Sequence, residues 1–476
     1  MIKWRQTIAA VCSALMCSTL LFGCNGGEKE VSEAGSGVSG ETSTSETGAG
    51  PEENEPLEPD KYSPKTEVTD AVYDTGLCVT EWQTNYKLSP VDLKKRFALY
   101  QECGFKTIRV ETYWSSFMPR AGEVVNPSQQ LYLYTAKEAG FRFKMILGTV
   151  MGVPGWYFEE HPGAKMKDQN GREAVSSVSY FAPNLREHLT EVLDTMMAYM
   201  QETGFLDSID TLVVDCGQAG EGIYPPAWTQ TPNGLDTPSG PDVFWGYDDY
   251  SQQNFRQTVQ AKYGTIAAAN AAWGKNYSSF DEVEVPKPGG PGGGIWEDYL
   301  YWYRDSKRNF IEEQIKMYKA AAEKYSNGRI KLILYLPGFD TRDADWEAAL
   351  KNGDGNGSVR IMADNRYLIE LAKEYGCWLQ FTGFENSGET KYLREYMDAN
   401  GAGDIPFFGE NSGGYDAVKN ASSAFNTIRR NGLAGVDITH SRWLYEENGI
   451  TPCKSIDNFK KNMRVMQNYL RAGSAN

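Results

Sequence analysis

The chain has 476 residues, 41% of them apolar and 13% aromatic, ample for one large core; a single α/β barrel routinely takes about 250 residues or more. The formal charge of −16 argues against nucleic acid as a partner, because phosphates need Lys/Arg surfaces. Beyond Cys24 the five cysteines Cys78, Cys103, Cys216, Cys377 and Cys453 are widely spaced, and His161, His188 and His440 are the only histidines. Neither set has the spacing of a disulfide framework or a metal site, so no metal or other cofactor is expected.

Lys3 and Arg5 precede an apolar stretch from Thr7 to Phe22 that is too short to span a bilayer comfortably. It ends in Leu21-Phe22-Gly23-Cys24, which resembles the lipobox of bacterial lipoproteins. The resemblance implies cleavage before Cys24, lipid on that residue, and a membrane association through the lipid anchor only, on the extracytoplasmic face. An ordinary secretory signal with an incidental cysteine is the alternative. Residues 25–65 are rich in Gly, Ser, Thr, Glu and Pro, a flexible polar linker by composition. Residues 66–476 form the folded domain.

In that domain short apolar runs alternate with amphipathic segments. The predicted strands are 76–80, 107–111, 142–148, 211–215, 330–336, 378–382, 406–409 and 435–439, and the predicted helices include 91–103, 129–139, 185–203, 361–375 and 417–431. Eight such units in a row predict an α/β fold, the (β/α)8 TIM barrel. A long excursion follows the fourth strand: residues 225–294 are dense in Pro and Gly with one helix near 251–263, then a long helix covers 296–325. An excursion of this length is expected to build a substrate cleft rather than core. A closing helix near 458–470 completes the chain.

Two glutamates stand where a predicted strand runs into a glycine-rich turn, Glu221 in Gly217-Gln218-Ala219-Gly220-Glu221-Gly222 and Glu410 in Phe407-Phe408-Gly409-Glu410-Asn411. Glycosidic bond cleavage needs one carboxylic acid for the leaving oxygen and one carboxylate for water or the anomeric carbon. Strand C-termini of a barrel deliver such pairs to one rim. Glu111 and Glu385 also fall at strand ends, and taken alone they read as rim residues that orient loops. Trp156, Trp228 and Tyr224 are candidate sugar platforms, whereas Trp273 reads as packing.

From Asp92 to Asn448 the chain resembles the bacterial β-amylases, glycoside hydrolase family 14. The family's Gly-Pro-Ala-Gly-Glu-Leu-Arg-Tyr-Pro is similar to Gly217-Gln218-Ala219-Gly220-Glu221-Gly222-Ile223-Tyr224-Pro225, and its Gly-Glu-Asn-Ala-Leu to Gly409-Glu410-Asn411-Ser412-Gly413. Phe381-Thr382-Gly383-Phe384-Glu385 resembles Phe-Thr-Cys-Leu-Glu, and Phe255-Arg256, Lys262-Tyr263-Gly264-Thr265, Ala272-Trp273-Gly274 and Trp302-Tyr303 follow in the family's order. The resemblance implies hydrolysis of α-1,4-glucan with inversion, Glu221 as acid and Glu410 as base. It implies Thr382 beside the attacking water, Asn411 and Glu111 on sugar hydroxyls, Glu385 at the rim, and Arg442 near a family arginine. Tyr335 takes the place of a family lysine, and the mobile loop after the third strand is shortened to Leu147–Trp156. His161-Pro162, Pro183-Asn184 and Arg186-Glu187-His188 resemble family 42 β-galactosidases, which leaves a retaining β-glycosidase as one alternative. A surface glycan-binding lipoprotein without activity is another. In every case the expected partner is an oligo- or polysaccharide.

Overall fold

The computed structural model describes residues 62–473 apart from 82–84, 86, 125–126, 151, 226, 231–235 and 241–242, and leaves the side chains of 127–128, 218, 227–230 and 236–240 undescribed. The leader, Cys24 and nearly all of the linker lie outside the described residues.

Eight parallel strands close a cylinder in sequential order. They are β1 (Leu77–Thr80), β2 (Thr107–Tyr113), β3 (Arg142–Gly148), β4 (Ile209–Val213), β5 (Lys331–Leu336), β6 (Trp378–Phe381), β7 (Phe407–Glu410) and β8 (Val436–Ile438). β1 pairs with both β2 and β8, in registers that set Thr80 beside Arg109 and Leu77 beside Val436. Each strand is buried on nearly every residue, as expected for a parallel sheet covered by helices. All eight match the predicted runs within two residues. β2 continues two residues past Glu111, and β4 starts and stops two residues earlier than predicted.

The helices begin and end where local chemistry allows. Pro90–Cys103 starts on Ser89, whose hydroxyl accepts from the Asp92 N–H, has Pro90 in its first turn, and stops at Gly104 with φ of 88°. Predicted starts at 361 and 417 move to Asn365 and Ala421. In the first case Asp364 caps the helix by accepting from the Tyr367 N–H, so the cap rather than the apolar run sets the boundary.

The excursion after β4 corrects the expectation of a cleft without core. Among the described residues, 225–294 contain two α-helices, Asp249–Tyr263 and Ile266–Trp273, and they pack on the long helix Gly294–Ser326. Phe244, Trp245, Phe255, Trp296, Tyr299 and Tyr303 form an apolar cluster of their own, separate from the main one under the barrel helices. Trp273 belongs to it, with its indole N–H donating to Asp298 at 2.7 Å.

The folded body begins before residue 66. Pro64 is buried, the Lys65 N–H donates to the Gly432 carbonyl at 3.0 Å, and Arg429 lies over the Tyr62 ring. At the other end, a Cβ added to Gly473 would come within 2.9 Å of Val68 and 3.1 Å of Pro64, so the two ends of the body touch.

Candidate active site

The barrel interior carries charge. Arg109 on β2, Lys144 on β3, Gln380 on β6, Glu410 on β7 and Asp437 on β8 are all buried and bonded to one another. The Arg109 guanidinium contacts Glu410 Oε1 at 2.6 Å, Glu111 Oε1 at 3.2 Å and the Tyr335 hydroxyl at 3.2 Å. Lys144 Nζ donates to Gln380 Oε1 at 2.6 Å and to Asp437 Oδ2 at 3.2 Å. That fixes the Gln380 amide so that its Nε2 donates to Glu410 Oε2 at 2.6 Å. Thr439 donates to Glu410 Oε1 at 2.8 Å, and Thr80 on β1 donates to Asp437 at 2.8 Å. Two buried cations thus face two buried carboxylates, the arrangement in which desolvation cost is offset by contact and hydrogen bonds. The Glu410 carboxyl lies above its ordinary value, because burial and the Asp437 charge outweigh the pull of Arg109 and Thr439. Asp437 is held below its ordinary value by Lys144 and Arg109 against the cost of burial.

Glu221 stands across from this network. After β4 the chain turns through Ala219, at φ of 53°, and Gly220, at φ of 83°, with the Gly220 N–H donating to Gly217 O at 3.1 Å. A Cβ on Gly220 would lie 3.0 Å from Val213, so the turn packs tightly onto its own strand. Glu221 then bridges to Tyr335 of β5 through the backbone. Its carboxyl accepts from Thr382 Oγ1 at 2.5 Å. Burial raises it from 4.5 to about 7, aided by the Glu410 charge and opposed by Thr382, the Gly338 N–H and Arg109. Thr382, just past β6, holds Glu221, and Gln380, two residues earlier on β6, holds Glu410, so the end of one strand ties both carboxyls into one site.

The other residues singled out from sequence divide in two. Glu111, Thr382 and Tyr335 join the site: Glu111 also accepts from the Tyr113 hydroxyl at 2.5 Å, and Tyr335 is buried on β5 with Arg109 over its ring. Asn411 is buried, with Nδ2 donating to the carbonyls of Ser412, Tyr415 and Thr439 and Oδ1 accepting from the Thr439 N–H at 2.9 Å. Its polar atoms bind backbone and tie the β7 and β8 loops together, so it holds the rim instead of facing a sugar. Glu385 accepts from the Ser412 N–H at 3.1 Å and steadies the same loop. Arg442 is exposed, donates to Gly413 O at 2.6 Å and lies over Trp443.

The proposed sugar platforms are placed differently. Tyr224 is buried, stacks on Tyr303 with ring centroids 4.1 Å apart and donates to the Tyr303 carbonyl, so it is core of the excursion. Trp156 packs edge-on against Trp114 and donates to Met118 O at 2.9 Å. The Trp228 side chain lies outside the described residues.

Sequence reading missed Arg109, Lys144, Gln380 and Asp437. Gln380 and Asp437 are lone polar residues in apolar strands, and Arg109 and Lys144 share theirs with one other charged residue, Glu111 and Arg142; polar residues flanked by apolar ones in barrel strands are the signal that could have found them. His440, just past β8, is another: burial and the charges of Arg109 and Arg442 lower it to about 3, so it is neutral at the rim.

The family model of glycosyl hydrolase family 14 matches residues 90–389, a stretch that includes Glu221 and Thr382 and ends before Glu410. The β-amylase of Niallia circulans is 23% identical over 272 residues, covering 52% of this chain and 44% of that protein. The β-galactosidase of Thermus thermophilus is 26% identical over 235 residues, 47% of this chain and 33% of that protein. The chain spans about half or less of the curated relatives it matches. Among solved structures, the catalytic domain of β-amylase from Paenibacillus polymyxa shares the fold with a TM-score of 0.64 at 20% identity, covering 81% of this chain and 96% of that one. Since the family model extends over more than half of the sequence, from the helix after β1 through β6, the chain belongs to glycosyl hydrolase family 14.

Proposed function

We propose that the protein is a glycoside hydrolase of the β-amylase kind, cleaving α-1,4-glucosidic bonds of starch-like glucans with inversion. The observation that carries this is the different bonding of two neighbouring carboxyls that burial raises alike, Glu221 on a hydroxyl and Glu410 on a guanidinium. Glu221 is raised by burial to about 7, so at neutral pH a large share holds its proton, as a general acid must. Glu410 touches a guanidinium at 2.6 Å, and the anion is the form that satisfies Arg109, Thr439 and Gln380 together. Those donors take two directions on Oε1 and one on Oε2. Of about four lone-pair sites on a carboxylate, one on Oε2 meets no donor among the described residues and is where a water would bind.

In the cleavage step the Glu221 proton passes to the glycosidic oxygen as the bond to the anomeric carbon breaks. Glu410 takes a proton from water as its oxygen bonds the opposite face of that carbon. Thr382 orients the acid through its hydroxyl. The glucan class follows the β-amylase relatives.

Glu221→Gln and Glu410→Gln are each expected to lower turnover on maltooligosaccharides by at least about a thousand-fold with an unchanged circular dichroism spectrum, since each removes a proton-transfer group. Near wild-type rates in either variant would refute the assignment. Proton NMR of the first product separates the mechanisms: β-anomer released from a maltooligosaccharide supports inversion, whereas β-anomer released from a β-galactoside supports the retaining β-glycosidase alternative. Maltooligosaccharide binding without reducing-sugar release would support a glycan-binding protein. We also propose lipid attachment at Cys24, supported by Leu21-Phe22-Gly23-Cys24; a Cys24→Ala chain that still partitions fully with membranes would contradict it.

A further inference from the structure

Lys307 lies on the long helix Gly294–Ser326 and is completely buried. Its ammonium donates to the Tyr180 hydroxyl at 2.8 Å and to the Cys216 carbonyl at 2.5 Å. The rings of Tyr180, Tyr224 and Phe310 stand 5.1, 5.4 and 5.8 Å from Nζ, within cation–π range. No carboxylate among the described residues lies within ion-pair distance of it, and burial pushes it down to about 7. The Asp215 charge favours the ammonium but does not outweigh its burial, whereas methionine would fill much the same volume without desolvating a charge. Packing alone therefore gives no reason for an amine here.

What the amine touches supplies one. Cys216 is the last residue before the turn that carries Glu221, and a Cβ added to the next residue, Gly217, would lie 3.0 Å from Nζ. The turn includes Ala219 in the left-handed region, a conformation unfavourable to a non-glycine residue that persists only when its surroundings enforce it. Its far side is fixed by the Glu221 bridge to Tyr335 and by the Tyr224 N–H donating to Ile361 O at 2.9 Å. Its near side is fixed by Lys307.

We propose that Lys307 is a positioning residue for Glu221: from within a box of three rings it clamps the Cys216 carbonyl and so holds the turn that presents the acid. This rests on the assignment of Glu221 as acid. Glu221 is half-buried, and loosening the turn exposes its carboxyl further and lets it fall toward 4.5.

The test is Lys307→Met in the full chain, with Tyr180→Phe as a milder variant that removes one of the two acceptors. Lys307→Met is expected to lower kcat about 10- to 100-fold with KM within about two-fold, the size of effect a displaced catalytic group produces. The basic limb of the pH–rate profile should move down, and Tyr180→Phe should move it the same way by less. A titration of the Glu221 carboxyl by carbon-13 NMR, its signal assigned by loss in Glu221→Gln, should show the same downward shift without reference to activity. Loss of a nearby positive charge alone would move that titration upward, and this outcome would overturn the proposal. So would a variant with unchanged kcat and titration that only melts earlier. If Glu221→Gln keeps full turnover, the hydrolase reading fails, while the titration still decides whether Lys307 sets the turn.

Discussion

Removing Arg109 would leave a buried carboxylate without its guanidinium, and two consequences follow from its 2.6 Å contact with Glu410. Arg109→Met should raise the Glu410 pKa, so the acidic limb of the pH–rate profile moves to higher pH; an unmoved limb would separate Arg109 from the base. It should also destabilise by about 3–5 kcal/mol in denaturant unfolding, the usual result of breaking one side of a buried pair. Glu221 gives a prediction of the opposite kind. Its folded pKa of about 7 lies above 4.5, so between those values the folded protein keeps a proton that the unfolded chain releases. Stability therefore declines as pH rises through that window. Glu389, completely buried and likewise raised to about 7 by burial, adds to the same slope. Glu221→Gln removes its share, so its melting temperature relative to the parent should be more favourable at pH 8 than at pH 4. Equal differences at the two pH values would contradict the raised carboxyl.

Among elements, the eight strands were legible because a fully covered parallel strand is a short apolar run bounded by turn residues. The two glutamates were legible because a carboxylate at a strand end beside glycine stands out. Glycine matters physically at Gly409, where a Cβ would collide with Ile428 and Phe384. Gly409→Val should push the flanking helix away, displace Glu410 and lower both the melting temperature and turnover, and a variant with normal values of both would show that the interface yields. The helix Ile266–Trp273 was not legible, because Ile-Ala-Ala-Ala-Asn-Ala-Ala-Trp has no polar face and so no amphipathic period. Tyr224 and Trp156 were misread for a related reason: composition cannot distinguish an aromatic that meets a sugar from one that meets another ring. The interior charges escaped because their partners come from five different strands, and only closure of the barrel brings them together.

At the scale of the whole molecule, two apolar cores share one long helix, Gly294–Ser326, whose Phe310 and Ile311 sit in the barrel's core and whose Trp296 and Tyr299 sit in the excursion's. Trp296 is buried and donates to Ala349 O at 2.9 Å, so Trp296→Ala should cost about 3–5 kcal/mol. A single unfolding transition would show that the cores melt together, and a first transition confined to the variant would show that they do not. The segment from Tyr62 to Val68 also belongs to this body. A chain lacking residues 1–65 should therefore melt several degrees below one lacking residues 1–56, since it forfeits the Pro64 packing and the Lys65 bond.

The contact of Gly473 with Pro64 and Val68 has a practical reading. A ring has no preferred starting point, and here the body's head meets its tail beside the seam between β1 and β8. A short peptide joining them would let the polypeptide be reopened at a surface loop elsewhere, such as the one around Gly401, with every strand neighbour preserved.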